Sequence, residues 1–105
     1  MKEIIEGVSK LADEEAERSM IKHPLFNSTH EGYAVIKEEI KEAEDELIDV
    51  KTNLEEIWRT VKGNNTELTI KYTKHLKKYA VNLAAESIQV AAMCQKFIDS
   101  NLREK

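Results

Sequence analysis

A chain of 105 residues with a net charge of −4 and one cysteine is the size of a single domain, expected to run over 1–105. It offers no basic footprint for a nucleic-acid backbone and no run approaching the roughly 18 apolar residues of a membrane span. The opening MKEIIEGVSKLADEE has no apolar core of the signal-peptide kind, so a cytoplasmic protein without nucleic-acid or membrane partners is expected, with Cys94 a small buried thiol in a reducing compartment.

Three glycines and one proline against 41% apolar residues predict a few long helices. The first is predicted over about Lys2 to Met20, with Ile4, Val8, Leu11 and Ala12 as its apolar stripe. Pro24 disfavours a helical His23 and marks the break. The second opens on Ser28-Thr29-His30-Glu31, a capping box in which Ser28 caps and Glu31 bonds back. Its apolar positions are Ile36, Ile40, Ala43, Leu47, Val50, Leu54, Ile57 and Val61, alternating steps of four and three as in a seam packed along its length. Trp58 flanks that seam and is expected in the core. The helix should end at Gly63-Asn64-Asn65, where Gly or Asn can take the left-handed conformation. Thr66 can cap the remaining segment, either one helix to about Asn101 or two jointed near Lys78 to Val81. Long helices in so short a chain have trouble burying every apolar face. The expected fold is therefore all-α, a bundle of long antiparallel helices completed by homo-oligomerisation, as a dimer or tetramer.

Glu86 raises a question of chemistry. On a wheel of about 100° per residue, Leu83, Val90, Met93 and Phe97 all fall within roughly 60° of it, so this carboxylate belongs to the buried face. Gln89 borders that face, and Asn82, Lys78 and His75 continue the same edge in a continuous helix. A buried carboxylate needs a basic partner, hydrogen bonds to its protonated form, or a metal ion. On the second helix, Glu39, Glu42 and Glu46 sit within about 60° of one another beside the Ile36/Ala43/Val50 edge. Packing the two helices together would gather carboxylates between them, and a few such oxygens hold a hard cation such as Mg²⁺. Glu-x-x-His, zinc spacings, glycine-rich phosphate loops and G-x-S-x-G are all absent from the sequence.

Glu38-Glu39-Ile40-Lys41-Glu42, with Glu86-Ser87-Ile88-Gln89 later in the chain, resembles the E-E-x-x-E and E-x-x-D marks of the all-α nucleoside triphosphate pyrophosphohydrolases of the MazG type. FNSTHEGYAVIKEEI and AAESIQVAAM also look like a subgroup of short MazG-like proteins of bacteria and phages, and the similarity covers roughly Phe26 to Ile98. The resemblance implies hydrolysis of a nucleoside triphosphate to the monophosphate and pyrophosphate. It implies Glu39, Glu42 and Glu86 as ligands of Mg²⁺, with Mn²⁺ as a substitute ion and Gln89 in the fourth ligand's place. Glu38 takes the motif's first position, as the candidate catalytic residue, whether ligand, base or support. Lys78 is a lesser candidate for contact with substrate phosphate.

Two features depart from the family pattern: Gln89 stands where it has Asp, and ELTIKYTKHLKK intervenes between the marks. An amide oxygen can coordinate Mg²⁺ but brings no charge. The Gln89 departure feeds one alternative to the enzyme, a catalytically weakened bundle that binds nucleotide or protein; a further alternative, a structural oligomer whose Glu86 is an ordinary paired core residue, has the expected Glu39/Glu42/Glu86 cluster against it.

Overall fold

A computed structural model describes residues 1–102, which form three helices and no strand: α1 (Lys2–Lys22), α2 (Thr29–Lys62) and α3 (Thr66–Asp99). The fold is all-α. Among the described residues, no helix is long and apolar enough to cross a membrane. The chain divides into two compact units, one of Met1–Lys41 with the stretch from Glu86 onward, the other Glu42–Ala85.

In the first unit, small residues set the packing. Ala12 and Ala16 are the buried residues of α1, and Ala16, Ala92, Met93 and Phe26 form the core, with Val35, Ile36, Phe97 and Leu102 packed against it. Ala16 and Ala92 are 1% and 0% exposed, so helix backbones approach closely there. The stripe predicted for α1 is corrected on this point: Ala12 is buried, but Ile4, Val8 and Leu11 are exposed. Alanines carry little weight in a hydrophobic pattern, although a close helix contact depends on them.

The loop between α1 and α2 is tied down by Phe26. Its ring meets Phe97 edge-on with centroids 6.2 Å apart, and its N–H donates to Ser100 Oγ at 3.0 Å, which in turn donates to the Lys96 carbonyl. At the start of α2, the Glu31 N–H donates to Ser28 Oγ at 3.1 Å while the Glu31 carboxylate accepts from the Asn27 N–H. The capping box is present, with its return bond moved one residue outward. Gly32, in the first turn of α2, lies so close to the Phe97 ring that a Cβ there would collide with it.

The second unit is a helical hairpin. α2 ends in a Schellman arrangement in which Asn65 N–H donates to the Thr60 carbonyl (2.9 Å) and Asn64 N–H to that of Val61 (3.0 Å). Asn64 takes the left-handed conformation at φ 54°, while Gly63 does not. The cap of α3 is Asn65 rather than Thr66, because Asn65 Oδ1 accepts from the Leu68 N–H at 3.0 Å. Thr60, buried at 3% exposure, shares a 2.8 Å hydrogen bond with Thr69 across the hairpin. The stretch after the turn continues as one helix to Asp99, since neither Gly nor Pro interrupts it.

The predicted seam of α2 separates into two rows. Ile36, Ala43, Val50 and Ile57 are half-buried, whereas Ile40, Leu47, Leu54 and Val61 are exposed, Leu54 at 58%. One neighbouring helix covers one row, and a stripe this wide needs a second neighbour. Trp58 also departs from expectation: it is 60% exposed, with Lys62 Nζ 5.4 Å from its ring centroid.

Candidate metal centre and its cavity

Glu39 lies on the part of α2 that belongs to the first unit, and Glu86 lies on α3 in the same unit; both are half-buried. Glu42 comes one turn after Glu39 on the same helix and is exposed. A carboxylate oxygen of Glu39 and one of Glu86 lie within 4.8 Å of each other. One Glu86 oxygen, Oε2, is shielded from solvent. Carboxylate oxygens gathered in this way are the ligands that a hard divalent cation favours. The donor set therefore fits Mg²⁺ or Mn²⁺.

The other expected residues lie in different places. Glu38 is exposed on α2, beside the half-buried Glu39. Gln89, half-buried, lines a cavity of about 630 Å³ in the first unit, as does Glu39. Lys78 is exposed, its Nζ 5.9 Å from the Tyr79 ring centroid, and is not among the residues lining that cavity. It precedes Gln89 by eleven residues, about 16 Å along α3.

Gln89 has a neighbour that the motif alone does not reveal. The Arg18 guanidinium, hydrogen-bonded to the Glu15 carboxylate, holds its pKa below the ordinary value, and the Gln89 side-chain amide nearby adds to the effect. Arg18 contributes through Nε and Nη2, both to Glu15 Oε2, at 3.0 and 2.7 Å. Gln89 thus lies near enough to Glu15 of α1 to influence it. Gln89→Asp would set a carboxylate near Glu15 as well as add a charge one turn after Glu86 on α3. If the charge reaches the metal, Mg²⁺ affinity should rise about tenfold, and isothermal titration with MgCl₂ reads it directly; a fall in affinity would mean that position 89 serves Glu15 and not the cation.

The cavity wall also holds a residue that the sequence reading missed. Lys96 is 3% exposed, donates from Nζ to Ser19 Oγ at 3.1 Å and lies 4.9 Å from the Phe26 ring centroid. The signal was present on the helical wheel. Lys96 stands seven residues beyond Gln89, a net turn of about 20°, so the polar edge read toward the N-terminus as Asn82, Lys78 and His75 also runs the other way to Lys96. His23, expected as a plain loop residue, ends α1 by donating its N–H to the Ser19 carbonyl (2.8 Å) and lines the same cavity.

No protein-family model, curated protein or solved structure matches the chain.

Proposed function

We propose that this chain is a Mg²⁺-dependent pyrophosphohydrolase of the MazG type, hydrolysing a nucleoside triphosphate to the monophosphate and pyrophosphate. The observation that carries the reading is the meeting of Glu39 and Glu86 within 4.8 Å, beside a cavity of about 630 Å³, a volume usual for a small-molecule site. Glu39, Glu42 and Glu86 would hold the metal, with Gln89 as a neutral fourth ligand and Glu38 behind them. When bound, the ion would supply charge neutralisation for a phosphate chain and Lewis acidity for phosphoryl chemistry. The protein's own part is to hold the carboxylates on two helices, so that the ligands are arranged before the ion arrives. Glu39, lining the cavity, links the ligand set to the space a substrate would fill. The test is pyrophosphate release from a panel of nucleoside triphosphates with Mg²⁺, with Mn²⁺ and with EDTA. Metal-dependent release supports the enzyme, and no release from any nucleotide by folded protein removes it.

Gln89, which brings no charge and lowers the Glu15 pKa from nearby, favours a second reading, a weakened bundle that binds nucleotide or a protein partner without turnover. Binding of a nonhydrolysable triphosphate without release from the natural ones would select it.

A homo-oligomer belongs to both readings, because the row Ile40, Leu47, Leu54 and Val61 is left exposed. A second copy covering that row would give α2 the neighbour its stripe lacks. Leu47→Glu is then expected to shift the species seen by sedimentation velocity from oligomer to monomer; an unchanged oligomer would place the interface elsewhere.

A further inference from the structure

The carboxylate cluster makes no use of the buried ammonium of Lys96. A charge taken out of water needs compensation, and among the described residues Lys96 has no ion pair within salt-bridge distance. An ammonium has three donors. One goes to Ser19 Oγ, and the face of Phe26 supplies a cation–π attraction without accepting a conventional hydrogen bond. Lys96 lines the cavity, so that space is where its remaining donors can be met.

Two further cations line the same wall, Arg18 and Lys22, one turn apart on α1. Arg18 spends Nε and Nη2 on Glu15, and Nη1 lies outside that pair. A buried ammonium with two further cations lining the same cavity matches a group with nearly two negative charges and three acceptor oxygens, which describes a phosphate better than a carboxylate. Glu15, Glu31 and Glu39 line the cavity as well. A polyanion attracted by net charge alone would be turned away, which leaves the contact dependent on Lys96.

We propose that this cavity is a phosphate-anion site in which a phosphate group of a phosphorylated small molecule seats on Lys96 Nζ, with Arg18 and Lys22 closing on it from α1 and no metal required. A volume of about 630 Å³ leaves room beyond the phosphate for the organic part of the ligand. The site shares its cavity with the proposed activity but needs neither metal nor turnover, so either can fail alone.

The test is isothermal titration of the full chain with tripolyphosphate in EDTA at physiological salt. The wild type should bind saturably, and Lys96→Met, which keeps most of the length of the side chain, should weaken binding roughly tenfold or more, as expected for losing a hydrogen bond to a charged group. Lys10→Met, the same charge change on the exposed surface of α1, should bind as the wild type does. The double variant Glu39→Gln/Glu86→Gln should bind tripolyphosphate in EDTA at least as tightly as the wild type, because Glu39 lines the cavity and its charge opposes an anion, even if it has lost all response to Mg²⁺. Absence of binding by the wild type, equal binding by Lys96→Met, or loss of binding in the carboxylate variant would each overturn the proposal. Should Lys96→Met fail to fold by circular dichroism, Arg18→Gln takes its place: weaker binding supports the site and unchanged affinity overturns it.

Discussion

Replacing Glu86 with Gln is expected to lower Mg²⁺-dependent pyrophosphate release by at least about a hundredfold, since even a residue behind a metal ligand typically costs 10- to 100-fold when removed. The substitution keeps the shape of the side chain and its half-buried place on α3. It removes a carboxylate that lies within 4.8 Å of the Glu39 carboxylate, so the metal-free protein should be as stable as the wild type or more so, because the crowding of two acidic groups is relieved. The two readouts move in opposite directions, which separates a ligand from a structural residue. Thermal unfolding with and without MgCl₂ gives the same contrast: an ion that binds only the folded state raises the wild type's midpoint and leaves that of Glu86→Gln where it was. Release unchanged in the variant would remove the metal reading. Loss of release together with a lower metal-free midpoint would make Glu86 a packing residue.

The legible parts of this chain were those where one local interaction decides the outcome. The start of α2 could be read because Ser28 and Glu31 satisfy its first backbone donors, and its end because Asn tolerates the left-handed turn that Asn64 adopts. The gathering of Glu39 and Glu86 could be anticipated, since both border apolar stripes that have to pack. What escaped depends on which neighbour reaches which face. Periodicity finds an apolar stripe but does not say whether another helix covers it. Ile4 and Val8 therefore looked buried and are exposed, while Ala16 gave little signal and is buried. Lys96 was missed for a related reason: a lysine in a mostly apolar stretch is ordinarily expected to reach solvent, and only the positions of Ser19 and Phe26 show that this one does not.

Phe26→Ala is expected to destabilise the first unit by about 3–5 kcal/mol, the usual cost of emptying a buried aromatic site. That is a large part of the roughly 5–15 kcal/mol by which whole domains are stable. Phe26 is 6% exposed, packs edge-on against Phe97 and lies under the Lys96 ammonium. Its loss would remove apolar burial, an aromatic pair and the ring that a buried charge rests on, and the loop backbone bond to Ser100 would not restore any of these. Phe26→Leu, which keeps most of the volume, should cost markedly less, and urea midpoints at equal m-values read the difference. Trp58→Ala serves as the counterpart. Trp58 is exposed at 60%, with Lys62 Nζ 5.4 Å from its ring centroid, so its replacement should cost within about 0.5 kcal/mol in the isolated chain, as surface positions do. A Trp58→Ala penalty as large as that of Phe26→Ala, and growing with protein concentration, would mean that a second copy covers α2 there. The same pair of variants thus weighs the core of one chain against the face through which two chains would join.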